Sequence, residues 1–79
     1  MAEQNIENLN AEIFNQIVVK KQIDYYKLFE LFSGNIYFES SLHLISSKDN
    51  LIERVNLDFI LTEKGKKYNS YEKYLESLK

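Results

Sequence analysis

Two short β-prone runs, Leu51 to Val55 and Phe59 to Leu61, flank Asn56-Leu57-Asp58, and the second run enters a helical segment at Thr62 with no loop between. This junction constrains the fold more than any other stretch. Asn and Asp tolerate the backbone geometry of a tight turn, so the runs predict a stubby two-stranded hairpin over about 51–62. Leu51, Val55, Phe59 and Leu61 are its expected inward residues, while Glu53, Arg54, Asn56 and Asp58 are polar. Thr62 stands where the period changes, and its hydroxyl can accept a hydrogen bond from a free N–H of a first helical turn. A helix is expected from there to residue 78. Its residues Tyr68, Tyr71, Leu75 and Leu78 step three, four and three, the spacing of a narrow apolar seam.

Three helices are expected upstream. Ile6, Leu9, Ile13, Phe14, Ile17 and Val18 recur at spacings of three and four, one stripe of a helix over about 4–20. Acidic residues near its start and Lys20-Lys21 at its end suit the helix dipole. Asp24 is a natural N-cap for a second helix near 24–33, with Tyr25, Leu28, Leu31 and Phe32 facing inward. Ser33-Gly34-Asn35 ends it, because glycine accepts the left-handed backbone a helix C-terminus commonly needs. Asn35 can then cap a third helix near 36–47. Phe38, Leu42 and Ile45 share one face of that helix, Ser40, His43 and Ser47 fall opposite, and Leu44 fits neither.

Size and charge narrow the function classes. The chain has 79 residues, enough for one domain over 1–79 that buries about 60% of its unfolded surface. With no Cys and a single His, it lacks the donors for a zinc site or a thiol nucleophile. Nothing in the spacing sets His43 beside a Ser and an acid, and two isolated glycines make no phosphate-cradling loop. No enzyme, metal or cofactor is therefore expected. The start, Met1-Ala2-Glu3-Gln4, is acidic and polar, unlike a secretory leader, and no run reaches the ~18 apolar residues of a membrane span, so a cytoplasmic location is expected. The net charge of −2 conceals an asymmetry. Residues 1–19 are purely acidic, and positive charge gathers at Lys20-Lys21, Lys27 and Lys64 to Lys67.

The order helix, helix, helix, hairpin, helix is the plan of the winged helix-turn-helix. Leu51-Ile52-Glu53-Arg54 resembles the strand after the recognition helix of MarR-like and PadR-like regulators. Phe59-Ile60-Leu61-Thr62-Glu63-Lys64-Gly65 resembles their second wing strand and the Leu-Thr-x-x-Gly entry to the next helix. The resemblance covers nearly the whole chain. It implies a mainly α domain with a short two-stranded wing and a C-terminal helix. Three features depart from the pattern. Asp49-Asn50 stand where a glycine often precedes the Leu-Ile-x-Arg strand, the wing is short, and Tyr37 to Ser47 contains no Lys or Arg.

What the resemblance implies about function is double-stranded DNA binding by a homodimeric transcriptional regulator, with the third helix in the major groove. Ser40, His43 and Ser47 are then the groove-facing residues. Lys27, Lys48 and Arg54 supply phosphate contacts, which carry the larger share of affinity. Tyr68, Tyr71, Leu75 and Leu78 become a dimer seam, tyrosine suiting interfaces because it joins an apolar ring to a polar tip. Base reading favours Arg, Lys, Asn or Gln, and the third helix has none of them. A winged helix used for contact with a protein partner, without DNA, is the competing expectation.

Overall fold

The computed structural model describes residues 6–79, with side chains from Asn8 onward, so residues 4 and 5 of the expected first helix and the Ile6 side chain lie outside the described residues. Among the described residues the elements run α1 (Ile6–Lys20), β1 (Gln22–Asp24), α2 (Tyr25–Leu31), α3 (Phe38–His43), β2 (Ile52–Val55), β3 (Asp58–Leu61) and α4 (Tyr71–Ser77). A π-helical turn at Leu44–Lys48 prolongs α3, and a 3-10 turn at Gly65–Lys67 precedes α4. The chain is mainly helical with a small antiparallel sheet ordered β1-β3-β2. No described helix is long and apolar enough to cross a membrane.

The α1 stripe forms the centre of the core. Leu9, Ile13, Phe14 and Ile17 are buried, as are Leu28 of α2, Phe38 and Leu42 of α3, and Ile45 of the π turn. Leu31 is a correction: it is 55% exposed, and α2 turns Leu28 inward with Tyr25 and Phe32 half-buried. Leu44, which fits neither face in sequence, is half-buried. Its carbonyl accepts from the Asp49 N–H at 2.9 Å, five residues on, which adds a residue to the turn while Ile45 stays in the core.

The sheet has three strands where a two-stranded hairpin is expected. Lys21, with φ +72°, ends α1 in the left-handed conformation, its N–H donating to the Ile17 carbonyl at 2.7 Å. Gln22–Asp24 then extends along β3, pairing Ile23 with Phe59, before Asp24 caps α2 by accepting from the Tyr26 N–H at 2.6 Å. A strand with one buried residue, Ile23, is too short to display alternation. In the hairpin, Ile52 pairs with Leu61 and Arg54 with Phe59, joined by a two-residue turn with Asn56 at φ +59°. Leu51, Phe59 and Leu61 are buried as expected, whereas this register also puts Ile52 inside and leaves Val55 45% exposed.

The predicted helix over 63–78 is broken. Thr62 does cap: its hydroxyl accepts from the Gly65 N–H at 3.0 Å while donating to the Asn50 carbonyl at 2.6 Å. Only a 3-10 turn follows, because Gly65 is pressed onto the residue just before β2, where an added Cβ would stand 2.0 Å from the Leu51 carbonyl oxygen. Tyr68 becomes extended, and Ser70 starts α4 afresh by accepting from the Lys73 N–H at 3.3 Å. The new start turns Tyr71 and Tyr74 into the core.

Tyr71 ties α4 to α1 and to the residue after the π turn. Its N–H donates to Asn15 Oδ1 at 3.1 Å, and its hydroxyl donates to Asp49 Oδ2 at 2.9 Å while accepting from Asn10 Nδ2 at 3.4 Å. Asn10 also accepts from the buried Ser41 hydroxyl, and Tyr74 donates to Asp49 Oδ1 at 3.2 Å. Burial pushes the Tyr71 phenol up to about 12; the Asp49 carboxylate adds to the rise and the Asn10 bond opposes it.

Two predictions follow from these contacts. Gly65→Ala is expected to cost about 2–3 kcal/mol, since the obstructing atom is backbone, read as a lower urea midpoint at unchanged slope. For Tyr71, the unfolded phenol ionises near pH 10, below its folded value. Its contribution is thus intact below about pH 10 and lost as pH rises toward 12. Tyr71→Phe should be less stable by about 1–2 kcal/mol at neutral pH and should show a shallower alkaline decline in thermal melts across pH 8–12.

Candidate functional site

The outer row of α3 and the π turn carries Ser40, His43 and Ser47, all exposed. Their rotation is set from beneath. Ser41 is fully buried and bonded to Asn10, and Phe38, Leu42 and Ile45 face the core, so the intervening polar residues must face solvent. Glu39 stands at the start of the same row, exposed, and is the one acid in α3.

Tyr25 links the start of this row to the hairpin, where Arg54 is held from several directions. Its guanidinium lies 5.2 Å from the Tyr25 ring centre and 5.8 Å from that of Phe59, and its Nε donates to the Asn56 carbonyl at 3.0 Å. Tyr25, the first residue of α2, links the hairpin to α3. Its N–H donates to the Leu57 carbonyl at 2.7 Å, its ring faces Phe38 and Phe59, and its hydroxyl donates to the Glu39 carboxylate. That bond, followed by burial, holds the phenol above its ordinary pKa, against the opposing charge of Arg54.

The remaining expected contact residues are dispersed. Lys27 lines a groove between the end of α1, β1 and α2, with Lys20, Gln22, Glu30, Leu31 and Asp58. Lys48 lies at the other end of the α3 row, in a cleft with Asn10, Tyr71, Tyr74 and Leu75. The structure thus brings together Ser40, His43 and Ser47 as one row and sets Arg54 near its start through Tyr25. It gives Lys27 a different set of neighbours. Further basic residues are engaged elsewhere: Lys64 sits 5.2 Å from the Tyr74 ring centre, and Lys66 pairs with Glu63 at 3.5 Å.

The seam Tyr68, Tyr71, Leu75 and Leu78 does not form one outward face. Tyr71 is 4% exposed inside its own chain. Tyr68 is half-buried against Tyr74, its hydroxyl accepting from Ser77 Oγ at 3.3 Å. Leu75 is half-buried, and Leu78, 63% exposed, is the member with free surface. The break at Gly65 is the cause, since it restarts the helix in another orientation. Exposed apolar side chains occur instead at Tyr26, Phe29, Ile36 and Tyr37, on α2 and the connection to α3.

Sequence reasoning placed Tyr25 in the core and missed its part in this face; the one signal was its position directly after the Asp24 cap. Among the described residues no three His, Cys, Asp or Glu side chains gather as a metal site. No protein-family model matches the chain, and no curated protein or solved structure shows significant similarity to it.

Neighbouring serines test which side of α3 faces out. Ser40→Ala should leave stability within about 0.5 kcal/mol. Ser41→Ala should cost about 1–2 kcal/mol, because it strips a partner from buried Asn10. Urea titration of both variants reads the difference.

Proposed function

We propose that the chain is a winged-helix domain that binds duplex DNA and acts as a transcriptional regulator. In this reading α3 presents Ser40, His43 and Ser47 to the major groove, and the β2–β3 hairpin is the wing. The observation that carries it is Arg54, a cation held against the Tyr25 ring, whose hydroxyl bonds Glu39 at the start of the exposed α3 row. A guanidinium held in place loses less freedom on meeting a phosphate than a free side chain. The α3 row offers hydroxyls and one imidazole but no Arg, Lys, Asn or Gln, so affinity rests on phosphate contacts more than on base reading. Lys48, beyond the row, supplies a second cation. The third strand, β1, is compatible with this plan, because it extends the sheet on the edge away from β2. A second copy would meet the α4 end mainly through Leu78, whose exposed surface alone is small.

One observation favours the second reading, a protein-contact module. Tyr26, Phe29, Ile36 and Tyr37 expose apolar surface on α2 and the α2–α3 connection, and Glu39 is acidic. Such surface suits a protein partner and is indifferent to phosphate.

Salt dependence separates the two. With two or three phosphate contacts, log affinity for mixed-sequence duplex DNA should fall with log salt at a slope of about −2 to −3. Arg54→Ala should make that slope about one unit shallower. Fluorescence anisotropy from 20 to 300 mM salt, with both slopes extracted, provides the measurement; no binding by the wild type at the lowest salt would remove the DNA reading.

A further inference from the structure

Glu39 and Arg54 carry opposite charges and both contact the same side chain, Tyr25, yet no ion pair joins them among the described residues. Tyr25 divides them between its two ends. The hydroxyl binds the carboxylate, and the ring face receives the guanidinium. Arg54 spends its Nε on the Asn56 carbonyl and makes no other hydrogen bond among the described residues, so its terminal amino groups are uncommitted. Both charges sit on the same Tyr25 side chain, so a carboxylate released from the phenol could turn to that guanidinium, and Arg–carboxylate pairs readily become bidentate. Such a pair would occupy the donors that a phosphate needs.

From this geometry we infer that Tyr25 is a positioning residue for the DNA face, keeping Arg54 available to a phosphate by holding Glu39 away from it. The inference rests on the DNA-binding reading and adds a specific role to it. Tyr25 itself touches no nucleic acid. Its hydroxyl neutralises a local competitor, and its ring fixes where the guanidinium sits. The contribution differs from ordinary packing, because the hydroxyl can be removed while the ring and its contacts with Phe29, Phe38 and Phe59 remain.

The test is a double-mutant cycle on the full chain with a fluorescein-labelled mixed-sequence duplex at low salt. Tyr25→Phe should weaken binding about three- to tenfold, the range expected when one pre-positioned side chain is lost, and make the salt slope about one unit shallower. Glu39→Gln should strengthen binding in both backgrounds, because it removes a charge that repels phosphate. The decisive quantity is the difference: its gain should be at least threefold larger in Tyr25→Phe than in the wild type, since there it also frees Arg54. Circular dichroism and urea midpoints confirm that each variant is folded. Equal gains in the two backgrounds, or an unchanged affinity in folded Tyr25→Phe, would overturn the role of Tyr25 while leaving the DNA reading in place. Absence of binding by the wild type itself would overturn both.

Discussion

The contact between Gly65 and the Leu51 carbonyl governs how the last third of the chain is arranged. No side chain fits between them, since a Cβ on Gly65 would lie 2.0 Å from the oxygen. Thr62 closes the same junction from the other side: its N–H donates to the Leu51 carbonyl at 3.0 Å, and its hydroxyl joins Asn50 to Gly65. The start of β2, the end of β3 and the 3-10 turn are thereby pinned to one point. A continuous helix from Thr62 would carry the chain away from the sheet. The pinned turn instead brings Ser70 and Tyr71 back against α1.

That return path creates the buried polar network. Asn10 and Asn15 of α1, Ser41 of α3, Asp49 beyond the π turn, and Tyr71 and Tyr74 of α4 satisfy one another. A small core has few large apolar contacts with which to fix the rotation of its helices. Directional bonds do this well, because any other rotation leaves a buried donor or acceptor unpaired. The π turn belongs to the same arrangement. By adding a residue it carries Asp49 to a position where both phenols reach its carboxylate, while Ile45 stays in the core.

Much of this was legible in the sequence where the period was long. The α1 stripe, the inward face Phe38, Leu42 and Ile45, the Asp24 cap and the Thr62 cap are all local patterns that the structure reproduces. What escaped reading were the non-local features. β1 exists because β3 supplies its hydrogen bonds, and one buried isoleucine carries no period. The break at Gly65 depends on a backbone 14 residues away in sequence. An isolated glycine near a helix start looks harmless until the neighbour it approaches is known. The outward row Ser40, His43 and Ser47 could be read from spacing, whereas the link from Arg54 through Tyr25 to Glu39 spans three elements and has no signature in sequence.

The same contrast bears on how such a face can recognise anything with so little positive charge. A helix row rich in Lys and Arg attracts nucleic acid by charge alone, whatever the geometry. This row has serines, one imidazole and an acid, so its electrostatics depend on arrangement. In the role inferred for Tyr25, Arg54 stays a usable cation because Glu39 is bound to the phenol. Tyr25 meets that condition from the first turn of α2, where Asp24 caps the helix and the Leu57 carbonyl receives the Tyr25 N–H at 2.7 Å. The hairpin turn, the α2 cap and the α3 start are therefore mechanically one unit. In that reading a shift of the hairpin would carry Arg54 with it, which couples the shape of this face to the charge it presents.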